Sequence, residues 1–254
     1  MHNFDDYLEA RNQLAHAHEP DDPLNNPYTW THKQDGTPVW AIMAQNPEKI
    51  QTFQVGMSGI DIAIPVVGHF DFSLLKSTSS EDQTVELVDV GGGTGAPLKQ
   101  ILDKHPELDP KKCVLQDRPE MIEMAKAGGL LPEGVVMSVH DFMTEQPVKG
   151  AKAYFMRMIT HDYGDPVCVV ILSQLAKAMS PESRVLICEM VLPQRVGEAD
   201  FASAVLDQAV MTMGGKERTE AGFKGLLESA GLELVQVWRV LGVPGACVEG
   251  KLKK

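Results

Sequence analysis

The stretch VELVDVGGGTGA, residues 85–96, decides the fold. A short apolar run centred on Asp89 passes directly into Gly91-Gly92-Gly93-Thr94-Gly95, and a helical pattern follows. Glycines at this junction let the backbone turn sharply and let a ligand approach the main chain. Read as G-x-G-x-x-A, the loop matches a dinucleotide fingerprint, a pattern that selects no ligand by itself.

Outward from this loop, apolar runs alternate with helical segments: PLKQILDKH, KCVLQD, PEMIEMAKA, VVMSVHD, AYFMRMI, PVCVVILSQLAKAM, SRVLICEMVL, FASAVLDQAVMTM and TEAGFKGLLESAG. Strand and helix in alternation predict an α/β fold, a mostly parallel sheet covered on both faces. The last two runs, Leu232–Val240 and Ala246–Leu252, are separated by Gly242-Val243-Pro244-Gly245 with no helix between them, which predicts a C-terminal antiparallel hairpin. Upstream, Asn46-Pro47 reads as an N-cap with proline at the first helical position, opening a helix with Ile50, Phe53 and Met57 on one side. The Ser-rich segment Asp71–Gln83 reads as a boundary. The expected organisation is a short helical N-terminal segment and linker over residues 1–84 and a ligand-binding domain over 85–254.

Composition narrows the partners. The chain has 254 residues, 35 Asp and Glu against 23 Lys and Arg, and a net charge of −12. This balance argues against a nucleic-acid backbone or an anionic membrane as the main partner, and leaves a cationic ligand open. Cys113, Cys168, Cys188 and Cys247 lie far apart, with no C-x-x-C pair or zinc spacing, so neither a disulfide framework nor a metal site is expected. The acidic N-terminus lacks the basic and apolar regions of a secretory signal, and no window reaches a membrane span of ~18 apolar residues. The expected setting is cytoplasmic.

Three acids fall at successive strand ends. Asp89 precedes the first glycine by two residues. A carboxylate there repels an anionic pyrophosphate and attracts an amine or sulfonium. Asp117 ends CVLQD, 22 residues beyond Gly95, where an acid can bind both hydroxyls of a ribose. Asp141 ends VVMSVHD and is followed by Phe142, a pairing suited to an adenine amino group and ring. Any one of these acids alone could equally be a helix cap.

The segments LVDVGGGTG (87–95), VLQDRPE (114–120), VHDF (139–142), MRMITHDYGD (156–165), LICEMVLP (186–193) and GGKERTEAGF (214–223) together resemble the class I S-adenosylmethionine-dependent O-methyltransferases similar to caffeic acid O-methyltransferase, the small-molecule type of plants and fungi. The likeness runs from about residue 27 to the C-terminus. It implies a Rossmann-like methyltransferase sheet and S-adenosyl-L-methionine as cofactor. It implies cofactor contacts from Asp89, Gly91, Gly93, Asp117, Arg118, Asp141, Phe142 and Arg157, the last where relatives often carry lysine.

The resemblance also implies that His161, in the loop before a helix capped by Asp165, removes a phenol proton while a methyl group passes in line from the sulfonium to the oxygen. Glu189 and Glu217, at intervals of 28 residues, are the acids implied to flank that histidine and orient it. A phenol pKa of about 10 against about 6.5 for histidine leaves a gap of roughly 5 kcal/mol, so proton loss and methyl arrival are expected together. A charge just before a helix capped by Thr219 is the plainer reading of Glu217. Met57, Met158, Met211 and Met213 are candidates to line an aromatic-substrate slot, with core filling as the alternative for each.

Family members usually carry some hundred further N-terminal residues that dimerise and close over the partner's site. Here that lid is expected to be mostly missing, so a homodimer would be weakened and the pocket more open. Three functions stay open on the sequence: O-methylation of a phenolic or polyketide-like small molecule; a non-methylating cyclisation or rearrangement that uses the bound sulfonium electrostatically; and a non-catalytic partner subunit.

Overall fold

A computed structural model describes residues 4–15, 18–79 and 82–253. Four helices come first: α1 (Phe4–Ala10), α2 (Pro27–Thr31), α3 (Val39–Ala44) and α4 (Pro47–Gly59). α4 starts where the sequence placed it, and the Asn46 side chain accepts from the backbone N–H groups of Glu48 and Lys49. Its Phe53 meets Trp40 of α3 edge-on at 5.4 Å.

The alternating region gives β1 (Leu87–Val90), α5 (Ala96–Lys104), β2 (Cys113–Asp117), α6 (Pro119–Gly128), β3 (Val136–Val139), β4 (Ala153–Arg157), α7 (Asp165–Ala178) and β5 (Arg184–Leu192). It continues with α8 (Phe201–Met211), β6 (Arg218–Thr219), α9 (Glu220–Ser229), β7 (Leu232–Arg239) and β8 (Gly245–Leu252). The strands lie in the order β3-β2-β1-β4-β5-β8-β7, with the short β6 beside β5. Strands β1 to β5 pair in parallel, and β8 runs antiparallel between β5 and β7. The mostly parallel sheet and its terminal hairpin are those the sequence predicted.

Each face of the sheet has its own core. On one, Val88, Val90, Tyr154 and Met156 pack under Ile171, Leu172 and Leu175 of α7 and Phe223, Leu226 and Leu227 of α9. On the other, Leu87, Leu115 and Phe155 pack under Leu98 and Ile101 of α5 and Ile122 of α6. The second core also takes Ile64, Phe70, Phe72 and Leu75 from the segment before the sheet. Phe72 and Leu75 therefore give the polar-looking stretch from Asp71 an apolar anchor; residues 80 and 81, also within it, lie outside the described residues.

The order places the site. From β1 the chain builds outward to β2 and β3, then returns to lay β4 on the other side of β1. The loops leaving β1 and β4 thus diverge at the carboxyl edge, the crevice where open α/β sheets bind ligands. Gly91–Gly95 occupies one loop and His161 the other. Among the described residues no helix is long and apolar enough to cross a membrane.

Candidate active site

The glycine loop is built as its composition demands. Gly91, Gly93 and Gly95 have φ of 72°, 62° and 87°, the left-handed region that L side chains rarely adopt. Gly91 and Gly92 both donate to the Gln116 carbonyl, and Gly93 donates to Asp117 Oδ2 at 2.7 Å. Asp117 Oδ1 takes the N–H of Arg118 at 2.7 Å. Asp117 therefore ties the end of β2 to the loop after β1, and burial pushes its pKa up. A Cβ on Gly91 would stand 2.7 Å from Ile159 Cδ1 and 3.4 Å from Phe142 Cε1, so the loops after β1, β3 and β4 converge there.

Asp89 lies within β1, fully buried, and neither carboxyl oxygen has a hydrogen-bond partner among the described residues. It sits directly under the loop, since a Cβ on Gly92 would strike Asp89 Oδ2. Burial, with the Asp117 charge nearby, pushes its pKa up to about 7 against the pull of Arg157. Asp141 stands two residues past the end of β3 rather than on it; its Oδ1 takes the Met143 N–H at 2.9 Å, and no helix follows. Arg118 is half exposed and pairs with Glu120 at 3.0 Å. Arg157 is held by the segment before the sheet: its Nη2 donates to Asp61 Oδ1 at 2.6 Å and to the Ile64 carbonyl at 2.7 Å.

His161 is buried in a 3-10 turn, Thr160–Asp162, between β4 and α7. Its Nδ1 lies 2.8 Å from Glu217 Oε1 and its Nε2 lies 3.5 Å from Asp162 Oδ1. Burial alone pulls the imidazole pKa down. Asp162 and Glu217, with Glu189 behind them, push it well above the usual histidine range. Burial in turn raises the Asp162 and Glu217 carboxyls. Both directions mean that the cluster as a unit keeps protons to higher pH than free side chains do.

Glu189 does not flank the ring. Its Oε1 accepts from the N–H groups of Ile159 and Thr160 at 2.9 and 2.6 Å, and Oε2 accepts from Thr160 Oγ1 at 2.6 Å. The cause is Met158, a non-glycine residue at φ 55°, which turns two successive N–H groups toward one carboxylate. Glu189 therefore holds the loop that carries His161. Met158 is buried in the second core. Met211 and Met213, near the end of α8, are half-buried, and the side chain of Met57 on α4 lies outside the described residues.

Two residues that the sequence reading passed over complete the site. Asp162 follows His161 directly, and that adjacency was its only signal. Arg218, almost fully buried, donates to the Thr160 carbonyl at 2.8 Å, the Tyr163 carbonyl at 2.8 Å and Asp165 Oδ1 at 2.9 Å. Asp165 therefore does not cap α7; Gly164 holds that position, and the Asp165 carboxylate faces Arg218 and Lys216 instead. Thr219 does cap α9, accepting from the Gly222 N–H. Two N-terminal helices touch this region: Trp40 Nε1 of α3 donates to Tyr163 Oη of the His161 loop at 3.3 Å, and the Tyr28 N–H of α2 donates to the Thr212 carbonyl at the end of α8 at 2.9 Å.

A family model described as an O-methyltransferase domain matches residues 14–233. "O-methyltransferase hmp5" of Hypomyces subiculosus is 36% identical over 98% of this chain and 61% of its own length. "Demethylsterigmatocystin 6-O-methyltransferase stcP" of Emericella nidulans is 38% identical over 67% of this chain and 80% of its own length. The crystal structure of OxaC in complex with SAH and oxaline superposes with a TM-score of 0.85 at 30% identity, over 99% of this chain and 62% of that one. A structure described as a pericyclic reaction enzyme matches at a TM-score of 0.79 and 27% identity, over 98% of this chain and 62% of that one. The chain thus spans about three-fifths of the length of hmp5, OxaC and the pericyclic enzyme.

Proposed function

The chain belongs to the O-methyltransferase domain family, and on that premise we propose that it is an S-adenosylmethionine-dependent O-methyltransferase of a phenolic or polyketide-like small molecule. The observation that carries this reading is the convergence of the glycine loop and the His161 cluster on one crevice of the sheet.

The residues present fit the cofactor. Asp89 offers two buried oxygens without partners, beneath a loop held open by left-handed glycines. Asp117 ends β2 and Asp141 stands in the loop two residues past β3, where a ribose and an adenine would lie, and Phe142 reaches the glycine loop. When bound, S-adenosylmethionine supplies a methyl group on a cationic sulfur. The rest is the work of this chain. Glu217 fixes the imidazole of His161, Glu189 and Arg218 fix the loop beneath it, and Trp40 of α3 reaches Tyr163 of the same loop.

The test is methyl transfer from labelled S-adenosylmethionine to a panel of phenols. Activity that falls by ~10²-fold or more in His161→Ala supports the reading. Cofactor binding with substrate turnover but without loss of the methyl group would replace it with a cyclisation or rearrangement, the chemistry to which the pericyclic neighbour's description points.

A further inference from the structure

Two opposite charges stand near each other in the cofactor crevice without pairing. Asp89 of β1 and Arg157 of β4 lie on one face of neighbouring strands. Leu87 and Phe155, two residues before each, both pack in the second core, and Asp89 stands opposite Phe155 in the register. Asp89 is 1% exposed and the Arg157 side chain 8%. Both Asp89 oxygens and Arg157 Nε are buried without a hydrogen-bond partner among the described residues. The Leu98 amide of α5 helps the Asp89 charge without closing a hydrogen bond, and Arg157 pulls the same carboxyl down against burial. Buried opposite charges normally close into an ion pair, because each otherwise carries its desolvation uncompensated.

Asp61 explains why these two do not. It stands in the 3-10 turn Ile60–Ile62 before the sheet, and its Oδ1 takes Arg157 Nη2 at 2.6 Å, a nitrogen that the Ile64 carbonyl takes at 2.7 Å. Asp61 Oδ2 is held in turn by Gln100 Nε2 of α5 at 2.9 Å. One carboxylate therefore joins the helix that follows the glycine loop to the strand that leads to His161. Resting on the methyltransferase reading above, we propose that Asp61 is a positioning residue. It draws Arg157 off Asp89, and the gap it keeps open takes the zwitterionic amino-acid end of the cofactor, ammonium toward Asp89 and carboxylate toward Arg157.

The chemistry of the pair matches that group. A carboxylate with two open acceptors suits an ammonium, and a guanidinium with an unspent N–H suits a carboxylate. A nucleoside without an amino-acid group offers neither charge. Without Asp61, Arg157 keeps the Ile64 carbonyl, and Asp89 becomes the carboxylate that attracts it. The guanidinium then turns to Asp89, each satisfies the other, and the gap closes. The Asp61 side chain is 37% exposed, so its removal opens no buried cavity. Holding the two charges apart destabilises the ligand-free fold, and loss of Asp61 exchanges ligand affinity for stability.

Two ligands test this. S-adenosylhomocysteine carries the amino-acid group, and 5′-methylthioadenosine keeps the nucleoside and the thioether without it. Calorimetry gives both affinities, and thermal melts give the ligand-free stability, for the unaltered protein and for Asp61→Ala. The unaltered protein should prefer S-adenosylhomocysteine by ~10²-fold. In Asp61→Ala that ligand should lose ~10-fold or more while methylthioadenosine stays within about twofold, and the melting temperature should hold or rise. An equal loss for both ligands, or a melting temperature several degrees lower, marks Asp61 as a structural tie and overturns the proposal. Unchanged affinities overturn it as well, since Arg157 then needs no holding, and so does an unaltered protein that binds the two ligands alike. Binding of neither ligand by the unaltered protein overturns the cofactor reading itself, and the proposal with it.

Discussion

Glu217 and Arg218 are consecutive in the chain and grip the His161 loop from two sides. Glu217 takes the imidazole at 2.8 Å, and Arg218 takes the backbone carbonyls of Thr160 and Tyr163, which flank the His161-Asp162 pair. One short segment before α9 therefore sets both the side chain and the main chain of the same turn. Replacing Glu217 with glutamine keeps the size and removes the charge. We expect kcat to fall by ~10²-fold, the His161 pKa to fall, and calorimetric affinity for S-adenosylmethionine to stay unchanged.

Arg218→Met tests the other grip. The change takes a charged donor from two buried carbonyls, leaving Thr160 with the Tyr163 N–H at 3.3 Å and the Cys168 thiol at 3.1 Å and Tyr163 with the Cys168 thiol at 3.5 Å, whereas Asp165, about half exposed, keeps water and Lys216. The loss should come mostly from these weakened carbonyls, about 1–3 kcal/mol of folding stability, read by urea unfolding. Arg218→Lys restores one donor group and should recover only part of it, because a lysine cannot span both carbonyls and Asp165 at once.

How much of this was readable beforehand depended on the range of the interaction. The strands and helices of the sheet region rest on apolar runs and turn residues that are local, and they appear where the sequence puts them. Glu217 was assigned to His161 through its motif, and the two are in contact. Glu189 was assigned to the same histidine, yet it binds the loop backbone. That difference depends on Met158 at φ 55°, and nothing in the composition of MRMITH announces a left-handed methionine. Asp165 read as a helix cap because Asp-Pro is a good local signal. Its actual partner, Arg218, comes from 53 residues away. Arg157 likewise meets Asp61 across 96 residues of chain. Pairings at this separation are set by strand order, which a single sequence does not display.

Gly92 of the glycine loop and Gly128 of α6 stand in contrasting surroundings. A Cβ at Gly92 would strike Asp89 and come within 2.6 Å of Leu115 Cδ1, both held in the sheet. Gly92→Ala should cost about 1–3 kcal/mol and weaken cofactor binding. Gly128, at the end of α6, meets nothing within 4 Å and has no positive φ. Gly128→Ala should be neutral or stabilising by up to about 1 kcal/mol, leaving binding unchanged. Thermal melts with and without S-adenosylmethionine distinguish the two.

Asp89 makes cofactor affinity depend on pH, with a definite sign. Its folded pKa, about 7, is raised above the value it has in the unfolded chain. Between roughly pH 4 and 7 the folded protein therefore holds a proton that the unfolded one has lost. By linkage this group favours folding at low pH, and its contribution fades as pH rises through that window. A cationic ligand above the loop favours the ionised carboxylate and draws the pKa back down. Binding S-adenosylmethionine near pH 6 should then release a proton, and affinity should rise from pH 5 to pH 7. Calorimetry in buffers of different ionisation enthalpy measures both effects. In Asp89→Asn the proton release and this part of the pH dependence should disappear, and affinity at pH 8 should drop toward the value the unaltered protein shows at pH 5. If the asparagine variant keeps the same slope, the titrating group is another member of the site, with Asp117 next in line because burial raises its pKa as well.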